Sequence, residues 1–313
     1  MRARALGLLL GYAADLVWAD PARHHPVAWF GTAASRLEQR LWRDQRRAGA
    51  AYAAVLVGGV VLPAAALERR LGPGPRVATT AVATWVVLGG TSLDREAAAV
   101  RDRLAAGDLP GARAQVGRIV GRATAGLDGA GVARAAVESV AENTSDAVVG
   151  SLVWGAALGL PGLLGHRAAN TLDAMVGHRT PRHGRFGWAA ARLDDVLGLP
   201  GSRLAAGLAA ALGPDPRGAV RAWRRDAPAH PSPNAGPVEA AFAGALGLML
   251  GGPTTYGART ELRPRLGEGR PPEPADLDRA RRLAARVGAG SLALSMLLAA
   301  ARPAPRPPRR PRR

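Results

Sequence analysis

Two residue types are missing from this chain of 313 residues: it has no cysteine, and although 42 residues are basic, every one is arginine. The first absence excludes disulfides, thiolate metal sites and cysteine nucleophiles, and leaves the redox compartment open. The second excludes a P-loop lysine, a Schiff-base lysine and a lysine general base. Any phosphate must therefore be held by arginine, backbone amides or a metal. Acids are scarce beside bases, 24 against 42, for a formal charge of +18. Aromatics are only 4% of the chain and do not interleave with the arginines. A base-stacking platform needs that interleaving, so nucleic acid is not the expected partner. Basic loops alternating with apolar runs are instead the pattern of a multi-pass inner-membrane protein.

Alanine and glycine supply much of the apolar content, which suits closely packed helices, in lipid above all. Helical periodicity dominates and no alternating strand pattern stands out, so the expected fold is all-α, with about four or five transmembrane or re-entrant helices. Residues 5–19 are apolar but for Asp15, and lack the cleavage site of a removable signal. Residues 22–47 are basic, with "SRLEQRLWRDQRR" as an amphipathic surface helix. The uncharged runs 48–67 and 77–93 are expected to form a transmembrane hairpin across the "LGPGPR" turn. Residues 94–146 read as two polar helices broken at "GDLPGA", then a third from about 130. Further apolar runs cover 147–164, 196–213, 235–253 and 287–301, interrupted by Pro161, Arg203 and Glu239. One membrane-embedded domain is expected over residues 1–301, followed by a disordered Arg/Pro tail at 302–313 that is solvated or drawn to lipid.

The topology carries a conflict. If 48–67 and 77–93 both cross, the arginine-rich segments 22–47 and 94–146 share the cytoplasmic side. A full crossing at 147–164 would then export a loop holding five arginines, three histidines and three aspartates between 165 and 195. Re-entry, or a short buried helix broken near Pro161, resolves the conflict.

Three clusters could carry chemistry. In "ESVAENTSD", residues 138–146, Glu138, Glu142 and Asp146 recur every fourth position. On an α-helix such residues lie about 40° apart with roughly 6 Å of rise, making one acidic ridge. Spacing alone leaves open a solvated face or a site for a hard cation. Asn143 and Ser139 add oxygen ligands beside the ridge, and Mg²⁺ takes carboxylate and amide oxygens with phosphates completing its shell. The second cluster spans 166–198: Arg167, Asn170 and Asp173 near one helix face, Arg179, Arg182 and Arg185 in a Pro/Gly loop, then Arg192, Asp194 and Asp195. It reads either as internal Arg–Asp pairing or as an anion-binding loop between acidic helix faces. His166, His178 and His183 lack metal-site spacing. The third, "WRRDAPAHPSPNAGPVEAAFAGALG" at 223–247, is a proline-stiffened loop in which Asn234 is suited to cap the next helix. A carboxylate at membrane depth such as Glu239 faces a partner or a polar cavity.

In order and spacing, "GYAADLVWADPARHHPVAWFG", "ESVAENTSD", "RAANTLDAMVGHR", "RFGWAAARLDDVLGLP" and "RDAPAHPSPNAGPVEAAFAGALGLMLGGPTTYG" resemble the adenosylcobinamide-phosphate synthase family of cobalamin biosynthesis. The resemblance covers nearly the whole chain except the tail. His178 stands where an aromatic is usual, Ala235 where serine is common, and Ala147 follows Asp146 in place of glycine. The resemblance implies a multi-pass inner-membrane ligase, with ATP and Mg²⁺ as co-reactants. It would join a corrinoid propionate to 1-aminopropan-2-ol or its O-phosphate as an amide. Glu142, Asn143 and Asp146 are then expected to hold Mg²⁺ with help from Glu138, and Arg179, Arg185 and Arg192 to hold phosphate. Asn170, Asp173, Asp194 and Asp195 complete the catalytic pocket, and Arg225, Asp226, His230, Asn234 and Glu239 face the corrinoid or amine.

Two other readings remain. A transporter or membrane scaffold would line a path with Asp15, Arg203 and Glu239. A soluble basic enzyme would bury the small-residue helices in its own core.

Overall fold

The computed structural model describes residues 2–21, 24–178, 180–256 and 259–301; Arg179 and the 302–313 tail lie outside them. Among the described residues the regular structure is helical apart from one antiparallel hairpin. In order come α1 (Arg2–Trp18), α2 (Pro26–Leu41), α3 (Arg46–Arg70), α4 (Pro73–Val87), α5 (Gly90–Ala105), α6 (Leu109–Val116) and α7 (Gly129–Asn143). A π-helical segment, Thr144–Val149, leads into α8 (Gly150–Leu158), α9 (Leu160–Val176), α10 (Trp188–Leu212) and α11 (Pro216–Asp226). The chain closes with α12 (Ala235–Leu246), β1 (Leu250–Tyr256), β2 (Arg259–Leu266) and α13 (Pro274–Ala301).

Local chemistry sets many of these boundaries. Asp108, Asp128 and Asp215 each accept the backbone N–H three residues on, at 2.8, 2.7 and 2.8 Å, and so cap α6, α7 and α11. The break between α8 and α9 falls at Gly159, whose φ of +74° only glycine adopts without strain. The Glu68 carboxylate then receives the Leu160 N–H at 3.0 Å and Arg4 at 2.7 Å, fixing the start of α9. Residues 147–164 are thus two helices packed on each other across a sharp turn, not one continuous rod.

The main core joins α5, α6, α7, α10, α11, α12, α13 and the hairpin, mostly through alanine and valine. Small residues let backbones meet: a Cβ on Gly201 of α10 would stand 2.7 Å from the Gly150 Cα at the start of α8. That contact lays α10 against the π segment.

Three expectations change here. The run 48–67 becomes α3, and 77–93 is divided between α4 and the first turn of α5; α4 packs on α1 and α9, and α3 on α9, α10 and α2, so α3 and α4 are not a packed hairpin. The run 235–253 is α12, buried on nearly all sides, followed by β1; its apolar character reflects a protein core. The β1–β2 hairpin was not legible as alternation, because Gly251, Gly252 and Pro253 interrupt β1 and Pro264 interrupts β2. Helices α3 and α13 are long and apolar enough to cross a membrane. Large apolar side chains stand exposed on α1, α3, α4, α10 and α13, among them Leu16, Leu62, Val82, Val196 and Leu297.

Candidate active site

The acidic ridge changes character at Thr144. Its hydroxyl donates back to the Val140 carbonyl at 2.6 Å, a bond that competes with the helical ladder. From there the backbone takes the wider π turn, which recurs at functional sites. The uniform α-helical ridge therefore ends at Asn143, and Asp146 lies in the π turn, within the fields of Asp173 on α9 and Asp194 on α10. Glu138 is buried: Oε1 accepts the Gly251 N–H at 2.7 Å, and Oε2 accepts Arg122. Arg134, one turn earlier, donates to the carbonyls of Gly251 and Pro253 and pins the hairpin over α7. Asn143 donates its amide N–H to the Ser139 carbonyl at 2.9 Å, which turns its own carbonyl oxygen the other way.

The other motifs converge on this ridge. Asp146 lies in the field of Glu142, Asp194 and Asp173, and Glu239 in that of Glu138 and Glu142. Carboxylates from α7, the π segment, α9, α10 and α12 thus line one chamber, with Arg122 and Arg263 of β2 among its charges. Glu142 has water-accessible surface although protein surrounds it, so it faces a recess within the molecule. Burial raises its pKa, with Arg122 and Arg263 opposing and Glu138 and Asp173 adding to the rise. Asp173 is also pushed up by burial. Asp194 rises to about 7, through burial and the neighbouring Asp173, against a hydrogen bond from Asn170. A cavity of about 310 Å³ adjoins Asn143, with Ser92, Glu96 and Arg118 in its wall.

Among the described residues, no three histidine, aspartate or glutamate side chains converge closely enough to hold a metal by themselves. The donor set nevertheless suits Mg²⁺, which needs few protein carboxylates when phosphates complete its shell. Glu142 and Asp146 repel each other, and the Asn143 carbonyl is not used by Ser139. A divalent cation would relieve that repulsion.

Other expected site residues sit apart or are differently engaged. Arg185 reaches Asp44 at 3.7 Å, while Arg182 and His183 both meet Glu38 at 3.0 Å, fastening the basic loop to the α2 region. Arg192 pairs with Asp195 at 3.1 Å on the chamber rim. Arg225 joins Asp226 and Glu268, and Asp226 also receives the Gly267 N–H at 2.8 Å. His230 lies in the fields of Arg263 and Glu138. Asn234 does not cap α12; the Ser232 hydroxyl does, accepting the Ala235 N–H at 3.1 Å. Asn234 instead ties the loop to α10, donating to the Asp195 carbonyl at 2.9 Å and accepting from Ser202 at 3.0 Å. Arg122 and Arg263 escaped the sequence reading because neither stands in an acidic or periodic pattern. Asp20 escaped as well; Ser92 donates to it and His25 stands 3.3 Å away.

A protein-family model described as CobD/Cbib protein matches residues 8–284. The chain is 54% identical over 299 residues to the cobalamin biosynthesis protein CobD of Mycobacterium tuberculosis H37Rv, covering 94% of this chain and 96% of that one. Proteins of the same name from Rhodobacter capsulatus and Chromobacterium violaceum are 45% identical over 272 residues and 43% over 310. Those alignments cover 85% and 95% of this chain, and 86% and 98% of the relatives. No solved structure matches.

Proposed function

The chain belongs to the CobD/CbiB family of cobalamin-biosynthesis proteins, and from that premise we propose that it is an ATP-dependent ligase of the inner membrane. It joins the propionate of adenosylcobyric acid to 1-aminopropan-2-ol, or its O-phosphate, as an amide. The observation that carries this reading is the convergence of carboxylates from five segments on one recess flanked by arginines. A carboxylate is a poor acyl donor. Transfer of the terminal phosphoryl group of ATP to its oxygen gives an acyl phosphate and ADP. Attack by the amine then forms the C–N bond and expels phosphate.

Glu142, Asn143 and Asp146 would hold Mg²⁺, which supplies positive charge to the nucleotide phosphates. Asp194, beside Asp173 and Asn170, is placed to take the proton that the ammonium must lose before its nitrogen can attack the acyl phosphate. Asp173 and Asn170 orient it. The cavity beside Asn143, with Glu96 in its wall, has room for a small amino alcohol. Exposed leucines and valines on α1, α3, α4, α10 and α13 form the lipid-facing surface of a multi-pass protein. The transport alternative loses support from its own residues: Asp15 accepts from Thr91 at 3.1 Å, and Arg203 donates to the Pro233 carbonyl at 2.6 Å. Both side chains make structural ties, Asp15 through Oδ2.

The test is incubation of the purified protein with adenosylcobyric acid, ATP, Mg²⁺ and either amine, followed by mass analysis. Amidated corrinoid and stoichiometric ADP are expected; no product with either amine overturns the proposal.

A further inference from the structure

Arg167 stands on the chamber wall, and its Nε meets no acceptor among the described residues. It shares a face of α9 with Asn170 and Asp173, the residues that approach Asp194. A guanidinium carries five N–H donors in a rigid fork. The Nε of Arg167 is sealed from water and meets no hydrogen-bond acceptor. The acids whose charges act on it are Asp20 and Asp146. Asp20 already has partners, accepting from Ser92 through Oδ1 and facing His25 Nε2 at 3.3 Å through Oδ2. Elsewhere, at Glu68 and Asp276, the chain matches a buried carboxylate with arginine. An enclosed donor without an acceptor is costly, and the cost is removed when a ligand supplies the oxygen.

We infer that Arg167 binds a phosphoryl oxyanion of the nucleotide, in the gap between its guanidinium and the Asp146 carboxylate. This rests on the reading that ATP is a co-substrate. A phosphoryl group fits better than the corrinoid carboxylate. Its several oxygens reach a guanidinium on one side and a cation held at Asp146 on the other. The carboxylate has two oxygens, and one must be left to attack.

The test measures equilibrium binding of Mg²⁺–AMP-PNP, and separately of adenosylcobyric acid, to the full chain in detergent. Arg167→Ala is expected to weaken AMP-PNP by about ten- to a hundredfold, the loss of charge-assisted hydrogen bonds. Corrinoid affinity stays within about twofold, as that ligand is bound elsewhere. Arg167→Lys regains only part of the nucleotide affinity, because a point charge lacks the fork. Millimolar guanidinium restores part of the turnover of Arg167→Ala, which a merely structural role does not allow. Unchanged AMP-PNP affinity in the variant, or a loss that falls on the corrinoid, overturns the assignment alone. A wild type that binds no AMP-PNP overturns the nucleotide reading and this assignment with it. Should Arg167→Ala fail to fold, the lysine variant decides, and wild-type affinity there refutes the role.

Discussion

At the joint between α12 and α13, Asp276 is fully buried and surrounded by donors. Arg270 grips both its oxygens at 2.7 and 3.0 Å, Arg279 adds a bond of 2.8 Å, and the Glu273 N–H one of 2.9 Å. In the chamber, Asp194 has Asp173, Asp195 and Glu142 for neighbours and a hydrogen bond from Asn170. The chain has arginines to spare, yet it places them around the first aspartate and brings other acids to the second. Fully matched polar groups are what a stable joint needs. Accumulated like charge with raised pKa values is what a ligand site shows. Arginine supply is therefore not what separates the two places; what separates them is that one set of lone pairs is closed and the other is left for something else.

The largest effect is expected where that contrast is sharpest. Glu142→Ala should reduce amide formation by on the order of 10²–10⁴-fold. The side chain faces the recess and not the packed core, so the thermal midpoint should hold. Turnover within a few-fold of wild type would remove Glu142 from the chemistry. The opposite pattern is expected of Asp276→Asn, which leaves two guanidinium groups without their anion. The midpoint should fall by roughly 5–10 °C while turnover per folded molecule persists. If instead Asp276→Asn abolished turnover at an unchanged midpoint, the division between the two regions would collapse.

How far the sequence disclosed these regions follows from the range of the interactions. The helices were legible because apolar periodicity and proline–glycine breaks are local, so the break at "GDLPGA" and the span of α3 fell where expected. Glu138, Glu142 and Asp146 stood out by spacing, but the π turn did not. It arises from Thr144 bonding back to Val140 and from the close approach of Gly150 and Gly201, the latter made by residues far apart in the chain. Arg122 and Arg263 were invisible for the same reason, since their acidic partners come from other elements. The run containing Glu239 misled in a simpler way: a helix buried on all sides looks the same in sequence whether lipid or protein covers it.

A smaller effect separates the two aspartates by pH. Asp194 has a folded-state pKa of about 7, against an ordinary aspartate value of 3.8. Between those values the folded protein binds more protons than the unfolded chain, so stability falls as pH rises through the window. Wild-type protein should unfold at a higher temperature near pH 5 than near pH 8, and Asp194→Asn should flatten that slope. A slope identical in wild type and variant would place the titration elsewhere in the chamber.

The smallest effect concerns the neutral groups that shape the chamber wall. Ser232 begins α12 by accepting the N–H groups of Asn234 and Ala235 at 3.2 and 3.1 Å. Glu239 lies just over one turn further on, so the cap helps set where that carboxylate points. Ser232→Ala should cost about 1 kcal/mol, the usual loss for a helix cap. Because the cap is a neutral hydrogen bond, that cost should be the same at low and high salt. The stability lost in Asp276→Asn should shrink as salt rises, since screening weakens the partly exposed Arg270 and Arg279 pairs already in the wild type. A salt-dependent penalty at Ser232 would mean that charge, and not backbone capping, orders the start of α12, and the chamber wall would then be held in the same way as the joint at Asp276.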